Sequence, residues 1–224
     1  DSESEYLLKV KAVDGLGQAL EKEYPFTVVN TRNGTLYTSE VWSGEHQIDD
    51  TVIVPEDLDL TLAANTNVSV YVSPDQEKPI ALIVEEGADL IHEGSARYSV
   101  TSLMDEAYWQ GIILHGMANV ENLYISGALR GITLSNPDIT TITNCELIDN
   151  TIGLHLFGTS PFISNSLFRG NKFYGIKEDS NAAPVVRDNL FGNNGFDYYR
   201  EGGFLLSSNE INHIKNENRG NDQE

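Results

Sequence analysis

The most constraining feature of this sequence is a period of about 22 residues. A glycine followed by a large aliphatic residue recurs as Gly111-Ile112, Gly131-Ile132, Gly153-Leu154 and Gly175-Ile176, in steps of 20, 22 and 22 residues. One further step lands on Asp197-Tyr198, where the glycine is lost. A second register, apolar-x-(Asn/Asp/Ser)-x-x-apolar, runs from Val120 to Ile125 around Asn122, Ile142 to Leu147 around Asn144, Ile163 to Phe168 around Asn165, Val186 to Phe191 around Asp188, and Leu206 to Ile211 around Ser208. Its polar centres stand 22, 21, 23 and 20 residues apart. A helical repeat needs two segments of about ten or more residues at 3.6-residue periodicity in each unit, and units studded with Gly, Asn and Ser have no room for them. Short strands between Asn/Gly corners do fit, as rungs of a parallel solenoid whose equivalent residues stack about 4.8 Å apart.

The columns follow from the spacing. Val120, Ile142, Ile163, Val186 and Leu206 form one interior stack, Ile125, Leu147, Phe168, Phe191 and Ile211 a second, and Ile112, Ile132, Leu154, Ile176 and Tyr198 a third. Asn122, Asn144, Asn165, Asp188 and Ser208 mark a corner where a short polar side chain bonds the bent backbone and tolerates left-handed φ. The next interior-parity positions, Leu114, Leu134, Leu156, Glu178 and Arg200, end on two charges. Either these pair with each other or the strand ends early and turns them outward; the turn-like Asp179-Ser180-Asn181 favours the early end.

Composition narrows the function. The 224 residues carry 34 Asp+Glu against 14 Lys+Arg, a formal charge of −20. That excludes a nucleic-acid binder driven by phosphate contacts. No apolar run approaches the ~20 residues of a membrane-spanning helix. At 40% hydrophobic residues the chain has material for one real core. The single cysteine, Cys145, excludes an intrachain disulfide framework and a cysteine-cluster metal site. The opening Asp-Ser-Glu-Ser-Glu, without Met or signal peptide, reads as a mature or excised fragment of an exported protein.

With Trp42-Ser43-Gly44, Val52-Ile53-Val54-Pro55, the alternating Leu58 to Leu62, Val68 to Val72, Ile80 to Val84, Leu90-Ile91 and the Trp109-Gln110-Gly111-Ile112 signature, residues 38 to 214 resemble the right-handed parallel β-helix family in the broad pectate-lyase-like sense. The resemblance implies an all-β solenoid of about seven rungs, of the kind found in exported bacterial and archaeal surface proteins, with a variable excursion from about Gly94 to Tyr108. Residues 1–37 read as an N-terminal hairpin cap: Tyr6 to Val13 alternates, turns at Asp14-Gly15-Leu16-Gly17 and returns through Tyr24 to Val29. This hairpin resembles the last two strands of an immunoglobulin-like or cadherin-like domain, and it is expected to pack over the first rung or to be completed by upstream sequence. Residues 215–224 read as a polar flexible tail.

The family mixes lyases, hydrolases, epimerases, adhesins and structural domains, so the site must carry the function. Alternation places Ile113, Thr133, His155, Lys177 and Tyr199 in one exterior column. His155, Lys177 and Tyr199 are the candidate catalytic strip, able to hold an anionic sugar, yet without the acid cluster with which related enzymes hold calcium. The Asp-Pro-His-Asp pattern of alginate epimerases and the Gly-Asp-Asp motif of polygalacturonases are absent. No metal site or cofactor is read from the residues, calcium standing only as what the resemblance implies. Tyr108, Tyr124, Tyr199 and Phe204 are the candidate sugar-stacking or partner-binding aromatics. The expectation is a non-catalytic, secreted or cell-surface module for adhesion, matrix or assembly, contacting polysaccharide or another surface protein, with end-to-end or lateral self-association and no nucleic-acid partner. The alternative is a divergent polysaccharide lyase, hydrolase or epimerase using His155, Lys177 and Tyr199; a third is a spacer within a larger surface protein. Truncating Phe168 or Phe191 to Ala is expected to cost roughly 3–5 kcal/mol through the cavity left in the stack, and near-wild-type thermal melting would contradict the assigned columns.

Overall fold

The structure, a computed structural model, describes residues 5–13, 15, 17–27, 30–72, 78–94, 98–102, 109–135, 141–179, 181–201, 205–206 and 222–223. These residues form no α-helix. They build a prism with three faces, each a stack of short parallel strands. One face is a 7-stranded sheet from Glu40–Trp42 to Val185–Arg187, so six full turns separate its first and last strands. The other two faces are joined into a single 16-stranded sheet by one bent strand, Glu45–Val54. Its first half pairs with Asn67–Val70 and its second half with Ala81–Val84.

Strand register matches the period of the sequence. Val120, Ile142, Ile163 and Val186 are successive partners, as are Ile125, Leu147, Phe168 and Phe191, and as are Ile112, Ile132, Leu154, Ile176 and Tyr198. All are buried, and the rings of Phe168 and Phe191 stack at 5.2 Å. Trp109 is fully buried and donates from Nε1 to the Ser126 carbonyl at 3.2 Å.

The recurrent glycine answers to coil stacking. A Cβ on Gly131 would meet the Gly153 carbonyl oxygen at 2.6 Å, one on Gly153 the Gly175 oxygen at 2.5 Å, and one on Gly175 the Asp197 oxygen at 2.6 Å. Each glycine is therefore demanded by the coil that follows it. At Asp197 no further parallel strand follows, because Leu205–Leu206 returns antiparallel against Tyr198 and Tyr199, and a side chain is admitted there.

Two corners turn by the same device, a left-handed residue followed by an inward one. Asn122, Asn144, Asn165 and Asp188 have φ between 51° and 56°. At the second corner Gly127, Asp149, Gly170 and Asn193 are also left-handed. The residues just inside them form buried ladders that the period alone did not single out. Asn150 donates from Nδ2 to the Ile125 carbonyl, Asn171 to that of Leu147 and Asn194 to that of Phe168, at 3.2, 3.0 and 2.8 Å. Their Oδ1 atoms accept from the backbone N–H groups of Ala128, Asn150 and Asn171 in turn. At the first corner Cys145, Ser166 and Asn189 take the equivalent places. Burial pushes the Cys145 thiol up to about 12, so it is an inert member of the ladder.

Three expectations are corrected. Leu206 does not continue the interior stack, since its strand runs antiparallel to Phe196–Arg200. Its fellow terminal positions Ile211 and Ser208 lie outside the described residues, and Gln223 takes the place beside Phe191. The strand does not end before Glu178: Tyr174–Glu178 runs through it, and the buried carboxylate accepts from the Tyr198 hydroxyl and, at 3.0 Å, from Arg200 Nε. Pairing wins because the phenol and guanidinium satisfy both oxygens where the core would otherwise strand a charge. The excursion after Gly94 holds a strand, Tyr98–Ser102, with Val100 standing between Val68 and Ile125. The N-terminal edge of the two joined faces is covered by Asn30–Thr35, which runs parallel to Glu45–Val54, while Glu5–Val13 and Ala19–Thr27 pair as a separate two-stranded sheet.

Gly153→Ala is expected to lower stability by about 2–3 kcal/mol, whereas Asp197→Ala costs about 1 kcal/mol, the worth of its hydrogen bond from Asn194. Urea unfolding of the two variants checks this; a wild-type midpoint for Gly153→Ala would refute the stacking account.

Candidate functional site

The outer side of the face built from Gly111–Leu114, Arg130–Leu134, Ile152–Leu156, Tyr174–Glu178 and Phe196–Arg200 concentrates the chemistry. Two outward columns run along it. Thr133, His155, Lys177 and Tyr199 are successive register partners, and beside them run Arg130, Ile152, Tyr174 and Phe196.

At the C-terminal coils the two columns join in a stacked aromatic platform. Tyr174 lies 5.0 Å from Tyr199 and 6.0 Å from Phe196, with interplanar angles of 30° and 28°. Phe173 continues it at 6.4 Å from Tyr174, with Lys172 Nζ 5.8 Å from its ring. Phe173, just before its strand, and Phe196, on a strand, remain 51% and 43% exposed. Sequence reasoning reached Tyr199 and missed Tyr174, Phe196 and Phe173. The signal was present, because Tyr174 and Phe196 each stand one place before the glycine register at 175 and 197.

Next along the column, one carboxylate oxygen serves two bases. Asp179 Oδ1 lies 3.3 Å from His155 Nε2 and 3.3 Å from Lys177 Nζ. His155 is only 2% exposed, with the Phe157 ring 4.0 Å away. Burial pushes its pKa down to about 4, Lys177 and Arg130 act in the same direction, and Asp179 opposes them without prevailing. The imidazole is therefore uncharged at neutral pH. Asp179 is the carboxylate joined to this column, and both its base contacts are internal. Among the described residues no group of three or more His, Cys, Asp or Glu could hold a metal ion.

The other singled-out residues fall elsewhere. Tyr124 is half-buried on a different face, between Ser99 and Glu146, and does not reach the platform. Tyr108 and Phe204 lie outside the described residues. Tyr198 belongs to the core, where burial and the Glu178 carboxylate push its phenol pKa well up. A cleft of about 290 Å³ opens on the short sheet, lined by Asp89, Ile91, His92, Asn119 and Glu121 among others, where pairing between Asp89–His92 and Met117–Glu121 extends only to Ala118. His92 within it is held down to about 4 by burial. No described helix is long and apolar enough to cross a membrane.

His92 and His155 both link stability to pH. Their folded pKa values lie below the unfolded value of 6.5, so the unfolded chain takes up protons first as pH falls. The neutral histidines' contribution is complete above about pH 6.5 and is lost as pH drops toward 4, by up to about 3 kcal/mol for each. Histidine C2-proton NMR is expected to show no titration of His92 or His155 above about pH 5; a midpoint near 6.5 for either would refute its burial.

Comparison with known proteins agrees with the architecture. The model of the right-handed beta helix region matches residues 100–222, more than half of the 224. No curated protein and no solved structure matches the chain. The match spans the coils in which the glycine, corner and interior columns repeat, and the described strands of that span from Tyr98–Ser102 to Phe196–Arg200 form a parallel β-solenoid: the chain belongs to the right-handed β-helix family.

Proposed function

We propose that this chain is a non-catalytic, secreted or cell-surface module that holds polysaccharide against the outer side of its long sheet. The observation that carries the reading is the Tyr174, Phe196 and Tyr199 platform. Rings that could be buried are instead held half-open, and they are spaced along strands whose positions the coil ladder fixes. The apolar C–H face of a sugar ring packs on such a surface with little ordering cost, because the rings are already immobilised. A rigid prism with a binding stripe along one side suits adhesion or matrix assembly. The charge of −20 keeps such a module soluble and repels acidic surfaces away from the stripe.

The non-catalytic part of the reading rests on how the candidate strip is used. His155 is covered, and both it and Lys177 are bound to Asp179, so this strip holds its two bases on one internal carboxylate and does not present them to a substrate. Tyr199→Ala and Tyr174→Ala are each expected to lower retention on immobilised polysaccharide by about tenfold, with Tyr124→Ala unchanged. New chain ends during the incubation would overturn the non-catalytic reading. Retention of the wild type on none of a panel of neutral and acidic polysaccharides would overturn the glycan reading in favour of a protein partner.

A further inference from the structure

On the two coils that precede Tyr174–Glu178 on this face, three buried polar atoms have no hydrogen-bond partner: His155 Nδ1, Thr133 Oγ1 and Arg130 Nε. Thr133 and His155 are register partners on adjacent strands, 8% and 2% exposed. Arg130 opens the strand that carries Thr133, and its charge acts on the imidazole. Buried polar atoms left unpaired cost about 1–3 kcal/mol each, and native proteins hold few of them. Three on one strand pair, on the face whose following coils carry the stacked rings, mark a place where a partner group is missing.

The hydrogen on the imidazole identifies that group. Asp179 can only accept, so His155 Nε2 carries the hydrogen and donates to it at 3.3 Å. Nδ1 is then a bare lone pair and needs a donor. A carboxylate or sulfate has no hydrogen to give and would face that lone pair, and the ammonium of Lys177, 3.3 Å from Asp179 Oδ1, makes no hydrogen bond to Nδ1. A hydroxyl satisfies the set: it donates to Nδ1 while accepting from Arg130 Nε, and the Thr133 hydroxyl serves a neighbouring one in either sense. Phe157, 40% exposed, has its ring 4.0 Å from the imidazole, so a sugar hydroxyl reaches Nδ1 only where this exposed ring gives way.

We infer that His155, Thr133 and Arg130 form a hydroxyl-binding subsite that selects an uncharged sugar, its ring stacked on the adjacent platform and one hydroxyl donated to His155 Nδ1. This rests on the polysaccharide reading and departs from the anionic ligand that the column of His155, Lys177 and Tyr199 first suggests. A site built to receive hydroxyl hydrogens discriminates by leaving its acceptor unpaired when the wrong group enters.

The test uses the whole chain with two soluble probes, cellohexaose and hexagalacturonate, and nitrogen-15 NMR of the imidazole. The expected tautomer is Nε2–H, and an Nδ1–H signal overturns the subsite. Wild-type protein is expected to bind cellohexaose at least about tenfold more tightly than hexagalacturonate, the worth of one satisfied hydrogen bond. His155→Phe, which keeps the ring, and Thr133→Val, which keeps the shape, are each expected to remove about that factor from cellohexaose alone. Tyr199→Ala weakens both probes. Preference for hexagalacturonate, or unchanged cellohexaose binding in either folded variant, overturns the subsite while the platform stands, and in the second case an ordered water is what the three atoms bind. Binding of neither probe sinks the subsite and the polysaccharide reading together.

Discussion

Everything in this molecule depends on the distance between one coil and the next. Parallel backbone pairing brings each coil close enough that the carbonyl oxygens of Gly153, Gly175 and Asp197 would stand 2.5–2.6 Å from a Cβ on the preceding coil. No larger residue can occupy those positions without parting the ladder. The same spacing lets Asn150, Asn171 and Asn194 bond each other and the backbone between coils, so that polar corners can be buried without loss. Apolar columns fill the lumen between those corners, and the closeness that excludes a methyl group also lets Phe168 and Phe191 stack.

Once the core is set, the outer surface inherits its regularity. Outward residues are forced into columns by the same register, which is why Tyr174, Phe196 and Tyr199 meet although 25 positions separate the first from the last. The solenoid thus converts a local sequence choice, an aromatic before or after a glycine register, into an extended stripe. Rigidity comes from the strands and not from the ligand. That makes a stripe of this kind better suited to holding a long polymer than to closing around a small substrate.

The ends of the prism follow different rules from its middle. Each terminal coil has an edge with no partner, and the chain closes two of the three faces with short additional strands: Asn30–Thr35 at one end, Leu205–Leu206 and Asp222–Gln223 at the other. Glu178, Tyr198 and Arg200 belong to this closing region. There the interior column gives up its leucines for a carboxylate bonded by a phenol and a guanidinium, the latter still reaching solvent.

The period, the three interior columns, the left-handed corner at Asn122, Asn144, Asn165 and Asp188 and the outward column from Ile113 to Tyr199 were all legible in the sequence, because stacking makes every coil repeat the constraints of its neighbour; the second left-handed corner was not. The glycine lost at Asp197 takes its meaning from the structure, since the sequence columns ran on to Leu206 where the parallel coils had ended. What only the tertiary structure decided lies where no repeat exists. The antiparallel return of Leu205–Leu206, the strand inside the excursion and the pairing of Glu178 each depend on a single non-repeating contact. The candidate site is of the same kind. Alternation placed His155 and Lys177 outward, but only packing showed the imidazole buried beneath Phe157 and both bases drawn to one oxygen of Asp179, since side-chain partners across a corner leave no trace in the spacing.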